Sequence, residues 1–128
     1  YKETLDKVIV FIFQINDLSG IKMRDEDIVV ILSNLLNNAI EACEKCSGKK
    51  VMKMKLVKEK DNIIISVKNT YDGKLNIKDG EIQTSKKYEI DEHGVGIKNI
   101  IEVITKYQGS YAIRNENNEF YFSVILPN

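Results

Sequence analysis

Asn34, Asn38 and Glu41 lie at i, i+4 and i+7 in the run ILSNLLNNAIEAC. On a helix this spacing makes one polar stripe, which borders the apolar positions rather than opposing them. Asparagine is a poor helix former, and Asn37 adds a third within a five-residue window, which is locally costly. A merely solvated face would more naturally carry lysine and glutamate. An amide oxygen is a hard ligand suited to Mg²⁺, and an amide can also accept or donate elsewhere. Taken alone, the stripe serves equally well as a solvated surface. A second cluster, His93-Gly94-Val95-Gly96, opens another helical pattern. Paired glycines allow a ligand close to the backbone, and a helix N-terminus favours an anion. The cluster lacks the third glycine and preceding strand of a dinucleotide fingerprint, and the Gly-Lys-Ser/Thr of a P-loop. Alone, it is also an ordinary transition from loop to helix.

The elements that would position these groups can be read from periodicity. Val8 to Ile15 is rich in β-branched and aromatic residues and predicts a strand. After a turn cluster at Asn16 to Gly20, Asp25-Glu26-Asp27 place carboxylates at a helix N-terminus. Ile28, Ile31, Leu32, Leu35, Ala39, Ala42 and Cys43 then recur at helical spacing. That helix should run to about Cys46, with Lys45 in its last turn, and stop at Ser47-Gly48. Lys50 to Lys58 alternates, with Met52, Met54 and Leu56 on one face and Lys53 and Lys55 on the other. The turn Asp61-Asn62 makes a hairpin with Ile63 to Asn69, and Asn69 shares the parity of Ile63, Ile65 and Val67. A polar side chain thus falls at the end of an apolar face. No helical period holds from Thr70 to His93, although Leu75 to Ile82 could form a small hairpin about Asp79-Gly80. So long a connection in a compact domain is usually functional. Ile97, Ile100, Ile101 and Ile104 mark a second helix ended by Gly109, and a hairpin about Asn115 to Asn118 closes the chain before Pro127. Two amphipathic helices on one face of a mixed, mostly antiparallel sheet predict a two-layer α/β sandwich.

Composition narrows the function. The chain has 128 residues, with 19 basic and 19 acidic, a net charge of zero and 43% hydrophobic residues. That is enough for one domain with its own core. Neutrality argues against nucleic-acid binding and against contact with a membrane surface as the main activity. The seven lysines between Lys45 and Lys60 have no interleaved aromatic residue for base stacking, and their alternation suits a solvated strand face. Cys43 and Cys46 stand in a C-x-x-C spacing, but the only histidine is His93. The pair lies at the end of a helical pattern, whereas a redox motif would open one after a strand. A core cysteine and a helix-end cysteine in a reducing compartment is the reading favoured over zinc or redox chemistry. The first residue is Tyr1, not methionine, and suggests a piece of a longer protein.

In combination these segments resemble the nucleotide-binding domain of the GHKL ATPase and kinase superfamily, over nearly the whole chain. LSNLLNNAIEAC, with flanks DIVVI and EK, and HGVGIKNI resemble the N box and G2 box of Agr-type, quorum-sensing sensor histidine kinases. Thr84-Ser85-Lys86 is similar to that group's lid motif. The resemblance implies a Bergerat-type ATP-binding fold over residues 1–128 with a long ATP lid over residues 70–93. It implies that Asn38 coordinates Mg²⁺ on the triphosphate and that Asn34 is the polar N-box residue one turn earlier. By the same match Asn69 faces the adenine, Gly94 and Gly96 lie beside the phosphates, and Lys86 contacts phosphate from the lid. The usual Asp-x-Gly-x-Gly is reduced to Asn69-Thr70-Tyr71-Asp72-Gly73, which keeps Gly73 but replaces the adenine-reading carboxylate by an amide. Weaker nucleotide binding is the expected cost, because hydrogen bonds to charged groups are stronger.

Position 34 separates two chemistries. In gyrase-like members a glutamate there activates the attacking water, and Asn34 cannot be a general base. A kinase that transfers phosphate to an imidazole has no use for that base. The resemblance therefore implies a histidine protein kinase of a two-component system, using ATP and Mg²⁺. The phosphoacceptor histidine would lie on a dimerisation segment upstream of Tyr1, with His93 a lid residue. This chain by itself should not label itself with phosphate. The whole protein would be a homodimeric membrane receptor, this domain lying in the bacterial cytoplasm and phosphate passing to a response regulator. The competing readings are a GHKL ATPase, an anti-sigma-type serine kinase, or a non-catalytic nucleotide-binding module.

Overall fold

The computed structural model describes residues 8–71 and 94–128. In chain order these form β1 (Ile9–Ile15), α1 (Asp25–Glu44), β2 (Lys50–Glu59), β3 (Asn62–Thr70), α2 (Gly94–Lys106), β4 (Ser110–Glu116) and β5 (Glu119–Pro127). The strands make one sheet in the order β1-β2-β3-β5-β4. Only β1 and β2 run parallel, because α1 crosses between them; β2-β3, β3-β5 and β4-β5 are antiparallel. The expected two-layer sandwich is the observed fold, with both helices on one face.

The core lies between that face and the helices. Ile31, Leu35, Ala39 and Cys43 recur every four residues on α1 and are buried. They meet Met52, Met54 and Leu56 of β2, Ile63, Ile65 and Val67 of β3, and Phe120, Phe122, Val124 and Leu126 of β5. The opposite face is mixed, with polar pairs toward β4: Lys68 pairs with Glu119 at 3.4 Å, and the Arg114 guanidinium lies 4.9 Å from the Tyr121 ring centre. A shallow groove there is lined by these residues with Glu116 and Asn117, on the far side of the sheet from the inward-facing Asn69.

Turn chemistry refines the expected boundaries. Asn117 and Asn118 both take positive φ, 52° and 62°, so the last turn is two residues long and the strands extend to Glu116 and Glu119. Asn16 replaces a strand residue beyond β1: its side-chain amide donates to the Lys58 carbonyl and accepts from the Lys58 N–H. At the end of α2 the left-handed residue is Gln108, with φ of 57°. Gly109 is required for space, since a Cβ there would sit 2.5 Å from Leu126 Cδ2 and 2.6 Å from the Ile125 carbonyl oxygen.

Two lysines differ from expectation. Lys45 is the C-cap of α1, not part of its last turn. Lys50 is buried with the Met52 face rather than solvated, and its ammonium donates to the Cys46 carbonyl just past the helix end. A cation at the negative end of a helix satisfies a carbonyl that the helix itself leaves unpaired. Thr70 also moves: it is the last residue of β3, not the first of the connection that follows.

The start of α1 is tied to the end of α2. Asp27 accepts from the Tyr107 hydroxyl and, at 2.9 Å, from Lys106 Nζ. The Tyr107 bond, then the Lys106 bond, hold the Asp27 carboxyl below its ordinary value of 3.8. A carboxyl lowered on folding contributes stability above its unfolded pKa and loses it as pH falls through the folded one. Tyr107→Phe should therefore be less stable than wild type at neutral pH, with the gap closing in acid. Urea unfolding from about pH 7 to about pH 2 checks this, and a gap that does not change with pH would remove Asp27 from the account.

Candidate functional site

Helix α1 presents two polar positions beside its buried row. Asn34 and Asn38 are each partly buried and lie one turn apart, facing the first turn of α2. A Cβ built on Gly96 would stand 3.2 Å from Asn34 Oδ1, 3.5 Å from Asn38 Oδ1 and 3.8 Å from Asn38 Nδ2. Glycine at 96 thus keeps the helix N-terminus against both amides. The two asparagines are not equivalent. Asn34 Nδ2 donates to the Val30 carbonyl at 2.7 Å, which fixes its orientation and leaves Oδ1 toward Gly96. Asn38 Nδ2 is buried and has no hydrogen-bond partner.

Asn69 completes the set from the sheet. It is 1% exposed, beside Phe120 on β5 and Met52 on β2. Its Nδ2 donates to the Thr70 carbonyl at 2.9 Å, so its Oδ1 is the free end, and that oxygen is buried without a partner. Buried amide atoms are nearly always satisfied, and leaving one bare costs about 1–3 kcal/mol. Asn38 Nδ2 and Asn69 Oδ1 are the buried unpartnered side-chain polar atoms among the described residues. One is a donor beside a helix N-terminus, which suits an anionic oxygen. The other is an acceptor at a strand end, which suits an N–H.

The structure therefore brings Asn34, Asn38 and Gly96 into one cluster, with Gly94 as the first residue of α2. Asn69 lies on the sheet face that packs against α1. Gly73, Lys86 and His93, with the rest of the expected lid after Tyr71, lie outside the described residues. Glu41, the third member of the stripe, is exposed. Among the described residues no three His, Cys, Asp or Glu side chains cluster to hold a metal, so a cation here would rely on amide oxygen, phosphate and water.

Thr70 is the residue that sequence reasoning overlooked. Its carbonyl orients Asn69, and its hydroxyl accepts from the Val51 N–H at 3.3 Å and lies 3.6 Å from Cys43 Sγ. Its β-branched side chain, continuing the run Ile63 to Asn69, was the available signal. Cys43 and Cys46 are both buried and free, and burial pushes the Cys43 thiol up. A raised thiol is a poor nucleophile, consistent with a packing role.

A family model described as the GHKL domain matches residues 23–127. No curated protein matches the chain by sequence. The nucleotide-free catalytic domain of the histidine kinase ThkA superposes with a TM-score of 0.70 at 19% identity, over 98% of this chain and 84% of that one. The Acinetobacter baumannii histidine kinase AdeS gives 0.70 at 16% identity, over 98% of this chain and 59% of that one. ThkA in complex with the response regulator protein TrrA gives 0.67 at 20% identity, over 98% of this chain and 36% of that one. At such identities the likeness carries the fold. With that fold, the matched family model and the asparagines held against a glycine at a helix start, this chain belongs to the GHKL domain family.

Proposed function

We infer that this chain is the ATP- and Mg²⁺-binding catalytic domain of a sensor histidine kinase of the Agr-type, quorum-sensing group. The two unpartnered buried amide atoms, Asn38 Nδ2 and Asn69 Oδ1, carry the reading. They are the complementary ends that a nucleotide supplies: phosphate oxygen for the donor and the adenine amino group for the acceptor. Asn38 Oδ1 would hold a magnesium ion, which would supply positive charge to neutralise the triphosphate. Asn34 and Asn38 position the phosphates against the N-terminus of α2, where Gly94 and Gly96 admit them to the backbone amides. Gly73 and Lys86 act from the lid, Lys86 as a positive contact to phosphate. Residues 1–128 are one such domain.

Asn34 favours transfer over hydrolysis. Its amide is tied to the Val30 carbonyl and has no basic atom with which to activate water. The acceptor is a histidine on a dimerisation segment of the same receptor, and phosphate then passes to a response regulator. The receptor is a homodimer at the bacterial cell membrane with this domain in the cytoplasm.

Calorimetric titration with a non-hydrolysable ATP analogue, with and without Mg²⁺, tests the reading. Wild type should bind more tightly with the metal, and Asn38→Ala should lose that gain, about tenfold in affinity or 1.4 kcal/mol. Wild type that shows no metal-dependent binding sinks it. Steady-state ATP hydrolysis by this chain would favour the ATPase alternative.

A further inference from the structure

β1 carries an apolar run, IVFIFQI, at the edge of the sheet. Val8, Val10, Phe11, Ile12, Phe13 and Ile15 are each 44–55% exposed. By register, Phe11, Phe13 and Ile15 share the helix-side face with Met52, Met54 and Leu56, while Val10 and Ile12 share the other face with Val51 and Lys53. The strand is thus apolar on both faces, the pattern of a central strand buried on both sides. Edge strands are ordinarily guarded by charge, proline or a bulge, and Ile9–Ile15 contains no charged residue and no proline. Its other edge pairs with no strand among the described residues.

We propose that the free edge of β1 pairs antiparallel with β1 of a second copy of this chain, making a ten-stranded sheet across a twofold axis at Ile12. Ile12 is the midpoint of Ile9–Ile15, so this register pairs all seven residues. It places Phe11 opposite the second copy's Phe13 and Ile9 opposite its Ile15, on the helix-side face. On the other face Val10 meets Gln14 and Ile12 meets itself. An antiparallel pair has its twofold perpendicular to the sheet, so side chains keep their faces and, but for Val10 against Gln14, apolar groups meet apolar groups. Aromatic pairs opposite one another are favourable units of sheet pairing, and Phe11 and Phe13 already stack with ring centres 6.1 Å apart. A neutral strand pairs with another neutral strand without leaving a charge facing it. Both α1 helices then fall on the same side of the joined sheet.

The area sets the strength. The exposed β1 side chains offer on the order of 500 Å² per copy, below the roughly 800 Å² per partner of a stable interface, so the pairing is reversible. Sedimentation equilibrium of this chain should show the mass rising from 14.7 kDa toward twice that value as concentration increases. Ile12→Lys puts two like charges together at the axis and should weaken dimerisation at least about tenfold. Ile12→Glu should do the same, and an equimolar mixture of the two should recover a heterodimer. That recovery is particular to a residue that faces itself. Gln14→Lys, away from the axis, should weaken the dimer less, and circular dichroism confirms that each variant is folded.

A wild type that stays at 14.7 kDa to about 500 µM overturns the proposal. So does an Ile12→Lys dimer as tight as wild type, or a lysine and glutamate mixture that fails to recover. Masses that grow beyond a dimer would show open-ended association and also overturn it. A monomer that instead binds an apolar helix or an unrelated strand assigns the edge to another partner.

Discussion

Asn69→Leu is expected to bind nucleotide at least about a hundredfold more weakly than wild type, roughly 2.7 kcal/mol, while folding as stably or more so. Asn69 is 1% exposed and sits in an apolar row, yet its Oδ1 has no partner. A bare buried acceptor costs about 1–3 kcal/mol, and the single bond from Nδ2 to the Thr70 carbonyl returns about 0.5–1.5 kcal/mol. Leucine removes both terms and adds apolar contact with Phe120 and Met52, its neighbours across the sheet. The net gain is about 1 kcal/mol, a rise of a few degrees in Tm for a domain of this size. Stability and function would pull apart here if the acceptor is kept for the proposed nucleotide. Thermal unfolding without nucleotide and calorimetric titration with it read the two effects separately. A variant that melts lower and binds as well as wild type would remove Asn69 from the site. Asn69→Asp should bind about tenfold more tightly, since a carboxylate accepts more strongly than an amide.

Gly96→Val is the second large effect. A Cβ at this position would press on Asn34 Oδ1 at 3.2 Å, and Asn34 cannot swing aside without breaking its bond to the Val30 carbonyl. The branched methyls would extend toward Asn38, whose Oδ1 lies 3.5 Å from the Cβ itself. The side chain would occupy the space proposed for phosphate and separate α2 from α1. Nucleotide affinity should fall at least about a hundredfold, with a moderate loss of stability of about 1–3 kcal/mol from overpacking. Gly96→Ala, with the Cβ alone, should lie between wild type and valine. If valine binds nucleotide as wild type does, the first turn of α2 is not part of the site.

Much of this was legible from residue types and spacing. The described strands and helices fall where residue type and spacing put them: β1 from its β-branched and aromatic run, the two helices from the 3.6-residue period and β2 from its two-residue alternation. Asn69 could be placed on the buried face by parity alone. The Asn34–Asn38 spacing placed both amides on one side of α1. Lys50 was misread because alternation assigns a face but cannot see a helix end arriving above it; the Cys46 carbonyl makes burial of that ammonium tolerable.

The sequence by itself determined the elements, their buried faces and the residue types able to meet phosphate, metal and an N–H donor. These are local properties, fixed by periodicity and by the chemistry of each side chain. Tertiary structure decided which ends of the amides are free. Asn34 and Asn38 have the same side chain, one turn apart, yet Asn34 is committed to a carbonyl and Asn38 keeps a bare donor. Likewise the Thr70 carbonyl turns Asn69 so that its acceptor is left unpaired. Strand order, too, was settled only by packing: α1 carries the chain across to make β1 the edge among the described residues, and that puts an apolar run there. Hydrogen-bond partners and neighbours depend on segments far apart in the chain, and no pattern of spacing within one segment specifies them.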